Sequence, residues 1–386
     1  RDLVRSRGLG DVYKRQHMLI IRGYLYMQSR DKIICATMTL AIIAFMVLSP
    51  GYIVAHRRNL TQQYRQQSTE SYQGIISLWH IVGFKSYQGS MGAWLEKAAA
   101  TLEKKHKGVY FEVESMTFSD YEARRERGEK ADMYSFPLGW EYIEELQPID
   151  MTMPEMRGNM ADSCRYHGGV YGLPYAASGY VLAVNSRIIQ EKGLDMDMLC
   201  GMIRSGEAKA SGDEIIACIY GAKGELGDEE DFSKEKSWAA FIDARTAGDM
   251  ARKVQSGKGF PFEAFSCTNY TNLVQYLGIG SGAEEEMRNY ILEFMQYVLS
   301  EDKQQSLMEL GLIPAVATKN QPESETPAVS AIYENSSQPA VPQCFLYATY
   351  EDQLCQSAEK ALSGDENAKK DLDLRLMELV QGAGIK

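Results

Sequence analysis

The chain has 386 residues, 45% of them hydrophobic and 24% charged, which suits two packed lobes plus extras better than one ordinary domain. Its formal net charge is -11, and because the first 32 residues are locally +5 the remainder is near -16. A body this acidic excludes a broad nucleic-acid-binding face.

Residues 1–16, RDLVRSRGLGDVYKRQ, have no hydrophobic period and resemble a translated sequencing-adapter tail, so they are set apart from the fold. Residues 17–32 read as a short cytoplasmic lead. Residues 33–55, IICATMTLAIIAFMVLSPGYIVA, contain no charge. At about 1.5 Å per residue they can cross a ~30 Å hydrocarbon core, as a transmembrane signal anchor or a signal peptide that leaves the body outside the cytoplasm. Cys35 sits at the wrong end of this segment for lipid acylation. The polar residues 56–73 read as a tether.

The periodic body begins at residue 74. Residues 74–82 (GIISLWHIV) predict a buried strand, 83–90 a loop, and 91–106 a helix with Trp94, Leu95, Ala98, Ala99 and Leu102 on one face. Residues 109–115 predict the next strand, 119–128 a short polar helix capped by Ser119, and 131–136 a third strand. This alternation predicts a parallel sheet wrapped by helices, with ligands beyond the carboxyl ends of its strands, here 79–88 and 135–140. GLPYAASGYVLAVNSR (172–187) opens turn-prone, passes through small residues and closes in a β-prone run. Residues 201–224 are weakly patterned, and the acidic 224–236 read as a solvated loop. Residues 237–254 predict strand, turn and helix, and 260–279 an aromatic extended stretch. From residue 284 a helix places Met287, Tyr290, Ile291, Phe294, Val298 and Leu299 on a core face. A Pro/Ser-rich connector (311–330) precedes a largely helical 352–380.

Catalytic and metal signatures are scarce. QGSMGA (88–93) is one glycine short of a nucleophile elbow, and Ser90 reads as a helix cap. Neither His80 nor His167 has metal-ligand spacing, and GAKGELG (221–227) lacks the Lys-Ser/Thr ending of a phosphate loop. The six body cysteines form no CxxC and read as free thiols. No catalytic residue, metal or cofactor is expected. Aromatic and polar residues do gather at the predicted strand ends. A sugar ring has one apolar face and an edge of hydroxyls, so its site needs platforms flanked by donors and acceptors. Trp79, Tyr87, Phe136, Trp140, Tyr175, Tyr180 and Tyr270 are candidate platforms. Lys85, Ser86, Gln88, Ser135, Arg245, Thr246 and Asn269 are candidate hydrogen-bonding groups.

Three segments carry a resemblance: ISLWHIVGFKSYQGSMGAW and its continuation to SFPLG, GLPYAASGYVLAVN, and FMQYVLSEDKQQSLMELGLIPAV. As an ordered series over about residues 75–380 they resemble the extracytoplasmic (family 1) solute-binding proteins of carbohydrate ABC importers, Gram-positive type. The resemblance implies an α/β, two-lobed periplasmic-binding-protein-like fold (type II) with a hinge. Lobe 1 would comprise 74–178 and 265–312, lobe 2 179–264 and 313–386. It implies a non-enzymatic protein that captures a small-molecule ligand, a sugar or oligosaccharide, and delivers it to permease subunits. The loop 84–88 would line the cleft from lobe 1, with Ser135 and Phe136 beside it, and Trp79 is counted with the ligand-binding residues as a platform at a strand end. Tyr175 and Ser178 would lie at the hinge, Arg245 and Thr246 in the turn after a second-lobe strand, and Asn269 and Tyr270 on the returning segment. Residues 175–179 would then floor the cleft, so that a bulky residue at Ala177 would cost binding more than stability. The short second lobe and the missing lipidated cysteine depart from the pattern. Three alternatives stay open. One is a binder of a peptide, polyamine or other non-sugar solute. Another is an exported glycan hydrolase drawing carboxylates from Asp132, Glu114 or Asp243. The third is a tethered sensor whose cleft is filled by its own side chains.

Overall fold

The computed structural model describes residues 37–38, 72–318, 327–334 and 336–382. The expected lead, all of the membrane segment except Thr37 and Met38, and nearly all of the tether lie outside the described residues. Among those that are described, no helix is long and apolar enough to cross a membrane.

The first elements follow the predicted alternation: β1 (Gly74–Ile81), α1 (Met91–Lys105), β2 (Val109–Met116), α2 (Phe118–Glu126) and β3 (Met133–Pro137). Strand β1 pairs in parallel with β2, from Gly74 opposite Val109 to Ile81 opposite Met116, and on its other side with β3. Ser90 caps α1, and Trp94, Leu95, Ala98, Ala99 and Leu102 form its buried face as the spacing predicts. Helix α2 starts earlier than expected, with Thr117 rather than Ser119 as its cap. The reason is a reciprocal capping box, in which Asp120 N–H donates to Thr117 Oγ1 (3.2 Å) and Thr117 N–H to Asp120 Oδ2 (3.3 Å).

The chain continues through β4 (Leu146–Gln147), the hairpin β5 (Arg165–Tyr166) and β6 (Gly169–Val170), β7 (Leu173–Ala177) and β8 (Tyr180–Asn185). Next come α3 (Ser186–Lys192), α4 (Met196–Ser205), β9 (Ala210–Gly212), α5 (Glu214–Tyr220), α6 (Glu229–Ser233), β10 (Ala239–Asp243) and α7 (Ala244–Gln255). The chain then forms β11 (Phe262–Ser266), β12 (Val274–Gly280), α8 (Glu285–Val298), α9 (Glu301–Leu307) and β13 (Ile313–Pro314). It ends in α10 (Pro327–Glu334), α11 (Cys344–Leu362) and α12 (Glu366–Gln381).

These strands make two main sheets, one ordered β13-β7-β12-β3-β1-β2 with β4 beside β12, the other β11-β8-β10-β9. Strand β12 runs antiparallel to β3 and β7. One end of the first sheet therefore gathers the carboxyl ends of β1, β2, β3 and β7. In the second sheet β10 and β11 run antiparallel to β8, while β9 runs parallel to β10. The ends of β9, β10 and β11 thus lie with the start of β8, at the side where the chain crosses between sheets.

Several expectations shift. GLPYAASGYVLAVNSR holds two strands in different sheets, β7 and β8, with only Ser178 and Gly179 between them, and every residue of both strands is buried. The crossing expected at 264/265 falls inside β11, which runs to Ser266, and β13 pairs with β7 in the first sheet rather than opening the second lobe. The expected turn after β10 is absent, because Asp243 both ends the strand and caps α7, accepting from Thr246 N–H at 2.6 Å. The weakly patterned 201–224 contains α4, β9 and α5. All six described cysteines are free thiols, and burial pushes that of Cys164 up to about 12.

Candidate functional site: the cleft between the two sheets

The parts of the chain built on the two sheets touch where the loop after β1 reaches α7. Arg245, Gly248 and Arg252 share one face of α7 at spacings of three and four. Arg245 Nη1 donates to the Ser86 carbonyl (3.3 Å) and the Tyr87 carbonyl (2.8 Å), and Arg252 Nη1 donates to the Tyr87 carbonyl at 3.3 Å. The Arg252 guanidinium also lies 5.0 Å from the centre of the Tyr87 ring. Gly248 makes the approach possible: a Cβ there would stand 2.0 Å from the ring, so the ring sits in the notch that the missing side chain leaves. Gln88 N–H donates to the Leu310 carbonyl at 3.2 Å and holds the loop from its other side. Ser86, Tyr87, Gln88 and Arg245 are thus brought together as expected, joined by Arg252, which the sequence reading passed over. Thr246, in the first turn of α7, donates its N–H to the Asp243 cap and has no hydrogen bond to this loop among the described residues. Lys85 is exposed on the same loop.

We call this contact a latch, since it ties the loop after β1 to α7. Its guanidinium groups are partly solvated, so its loss should alter lobe spacing more than folding. The double variant Arg245→Ala, Arg252→Ala should increase the radius of gyration in small-angle scattering with little change in melting temperature. An unchanged radius would mean that the latch does not hold the lobes.

Four other expected site residues lie in the first-lobe core. Trp79 packs edge-on to Tyr121 and Tyr134, Phe136 stacks on Tyr276 with ring centres 5.7 Å apart, and Tyr175 stacks on Trp94 at 5.9 Å. Ser135 is wholly buried, its hydroxyl within 2.9 Å of His80 Nδ1, 3.1 Å of Tyr175 Oη and 3.1 Å of Gln275 Nε2. The physical reason is strand length. Because β1 runs to Ile81 and β3 to Pro137, residues 79 and 135 and 136 stand inside a sheet covered on both faces. Ser178 is buried in the crossing, its N–H donating to the Leu273 carbonyl and its carbonyl accepting from Thr271 Oγ1, both at 2.8 Å. Asn269 is exposed and donates to the Gln338 carbonyl at 3.1 Å. Ala177 is enclosed between β12 and β13, which reverses the expectation for it. Ala177→Leu should destabilise by about 1–3 kcal/mol through overpacking, read as a lower midpoint in urea.

The carboxylates named for a hydrolase are used structurally. Asp132 Oδ2 accepts from Ser77 N–H and Oγ–H, both at 2.8 Å, and Glu114 pairs with Arg124. Among the described residues no group of three or more His, Cys, Asp or Glu is placed to hold a metal ion.

On the side of the second sheet, Tyr180, Tyr270 and Tyr347 are 8%, 5% and 3% exposed and belong to that sheet's hydrophobic core. Tyr180 Oη donates to Asn272 Oδ1 (2.7 Å), and Asn272 Nδ2 donates to Tyr347 Oη (2.9 Å). Tyr270, buried on the returning segment, lies beside Tyr347 and Tyr180. Asp243 stands opposite Tyr180 in the sheet register, and Asp213 follows β9 and caps α5, accepting from Ile216 N–H at 2.8 Å. Burial, and secondarily neighbouring carboxylates, hold the carboxyls of Asp213, Glu229 and Glu351 above their ordinary range. Tyr180, Tyr270 and Asp243 are residues the sequence singles out, whereas Asp213, Asn272, Tyr347, Glu229 and Glu351 are not. One signal did point to Asp213: reading Ala210-Ser211-Gly212 as a strand would have placed it at a strand's carboxyl end.

No protein-family model and no curated protein matches the chain. Solved structures do. The cyclic alpha-maltosyl-1,6-maltose binding protein from Arthrobacter globiformis superposes with a TM-score of 0.60 at 14% identity, over 80% of this chain and 99% of that one. A cyclo/maltodextrin-binding protein complexed with maltotetraose gives 0.55 at 15% identity, over 82% and 98%. An ABC substrate-binding protein from Listeria monocytogenes in complex with cycloalternan gives 0.53 at 13% identity, over 82% and 100%. The chain therefore has the mixed α/β fold of the substrate-binding proteins, shared across nearly the full length of each neighbour. Those neighbours are named as saccharide binders or were solved in complex with a saccharide.

Proposed function

We propose that this chain is the extracytoplasmic solute-binding protein of a carbohydrate ABC importer. It captures a sugar or oligosaccharide between two lobes of a type II binding-protein fold and presents it to permease subunits, without catalysis of its own. Residues 33–55 hold it at the outer face of the cytoplasmic membrane. The observation that carries this reading is the fold match over 80% of the chain to a protein that binds a maltose-derived saccharide.

The test is a melting scan with maltotetraose, mannobiose and cyclic maltosyl-maltose. A ligand at a hundred times its Kd stabilises the folded state by about 2.7 kcal/mol, which a full-length chain registers as a rise of several degrees. Lobe closure should contract the scattering envelope at the same concentrations. A broad oligosaccharide panel that produced neither change would remove carbohydrate as the ligand class.

A further inference from the structure

We propose that a cavity at the end of the second sheet remote from the crossing between sheets binds a small compound carrying a phosphate or sulfate group. The cavity has a volume of about 390 Å³, within the roughly 300–1,000 Å³ of small-molecule clefts. Three segments wall it: the turn 206–210 entering β9, the loop 223–227 between α5 and α6, and residues 236–237 entering β10. Strands β9 and β10 run parallel, so the cavity lies at their amino ends, whereas their carboxyl ends face the side where the chain crosses between sheets. It is therefore separate from the cleft assigned to sugar, and the proposal goes beyond that reading. Lys209, Lys223 and Lys236 line it with Glu225 and Asp231, a surplus of cations on a chain whose net charge is -11. Lys236 Nζ lies 3.1 Å from Asp231 Oδ1 and Lys223 Nζ 3.6 Å from Glu366 Oε1, exposed pairs of the kind that contribute little and can be exchanged for a ligand. Lys209 is exposed and has no ion pair among the described residues.

A second observation is independent of the lysines. Ser237 lines the cavity and is 3% exposed, yet its hydroxyl makes no hydrogen bond among the described residues, although a buried polar group in a folded protein is nearly always paired. The backbone N–H groups of Lys209, Glu225 and Leu226, on residues of the same wall, also have no partner among the described residues. Gly206 and Gly224, both at positive φ, let the turn and the loop close on each other: a Cβ on Gly206 would stand 3.2 Å from the Lys223 carbonyl oxygen, and one on Gly224 3.5 Å from the Gly206 Cα. Free N–H groups that follow a left-handed residue form the kind of concavity that takes an anion. Donors are thus offered from all three segments. A tetrahedral oxyanion presents acceptors in that many directions, whereas a carboxylate presents two coplanar oxygens. The remaining volume has room for the organic part of an ester.

The discriminating experiment is calorimetric titration of the full chain, at constant ionic strength, with inorganic phosphate, sulfate, glycerol 3-phosphate and chloride. The three oxyanions should compete for one site and bind at least tenfold more tightly than chloride. An ester that binds more tightly than both free ions identifies an ester as the natural source of the oxyanion, and free ions that bind as tightly identify the ion itself. Lys209→Ala should weaken phosphate binding at least tenfold and Ser237→Ala at least threefold, while Lys253→Ala, an exposed lysine on α7 outside the cavity, should leave it unchanged. In amide NMR spectra the N–H signals of Lys209, Glu225 and Leu226 should move on addition of phosphate to the parent and stay in place in Lys209→Ala. Maltotetraose should leave the phosphate isotherm unaltered. Oxyanions that bind no more tightly than chloride, or a Lys253→Ala variant as weakened as Lys209→Ala, would overturn the proposal and leave the carbohydrate reading standing. Displacement of phosphate by maltotetraose would overturn it by placing both ligands at one site.

Discussion

Gln304→Ala should destabilise the chain by about 3 kcal/mol or more, because one fully buried amide serves three backbone groups whose loss leaves each unsatisfied at about 1–3 kcal/mol. From α9, its Nε2 donates to the Tyr175 carbonyl on β7 and to the Val298 carbonyl at the end of α8, both at 3.0 Å. Its Oε1 accepts from the backbone N–H of Val316 at 3.1 Å. A single side chain therefore ties a sheet strand, a helix terminus and the segment leaving β13. Gln304→Leu separates the polar from the steric part: it fills the space and still abandons all three partners. Both variants should show a markedly lower urea midpoint at unchanged slope, with leucine recovering only the cavity component. A leucine variant as stable as the parent would show that these backbone groups find other partners. Gln304 lies within FMQYVLSEDKQQSLMELGLIPAV, and in this chain it serves packing and backbone hydrogen bonding.

The same distinction governs what was legible in the sequence. The first lobe was readable because its signals are local and redundant: the 91–105 helix repeats large apolar residues at helical spacing, and β1 is a continuous β-prone run. Strand β9 was not, since Ala210-Ser211-Gly212 has neither a branched nor an aromatic side chain and is a strand only because β10 runs beside it. Asp243 hid the junction of β10 and α7 by being the last residue of one and the cap of the other. Site residues failed by position more than by type. Trp79 and Tyr175 were taken for platforms at strand ends, and each lies inside a strand, two residues short of its end. The small residues beside Tyr175 meet the tight packing of β7 between β12 and β13 and leave no room for a ligand. The latch was half legible, since Tyr87 and Arg245 could be chosen from local context. Their meeting across 158 positions of sequence could not.

Acid should weaken the fold through His80, in a window that the burial of this residue sets. The imidazole is 1% exposed, with Nδ1 2.9 Å from Ser135 Oγ, and burial lowers its pKa from 6.5 to about 4. Because the folded value lies below the unfolded one, the unfolded chain binds the extra proton first as pH falls. The stability that neutral His80 contributes is whole above pH 6.5 and is lost progressively between 6.5 and about 4. Below about 4 both states are protonated and the loss stops. The full separation corresponds to about 3 kcal/mol. Urea unfolding at pH 7, 5.5 and 4 should trace this fall, and His80→Gln, which retains a polar group toward Ser135, should flatten it. Parallel losses in parent and variant would show that His80 takes up its proton in the folded state without penalty. The effect should reach the cleft as well. Ser135 shares its hydroxyl with Gln275 Nε2, which also donates to the Ile81 carbonyl at 2.7 Å, and Ile81 is the last residue of β1 before the loop that carries Tyr87. The folded chain protonates His80 only as pH approaches about 4, so any loosening of the floor on which the first-lobe half of the latch stands should appear as a rise in scattering radius near that pH in the parent and be absent in His80→Gln.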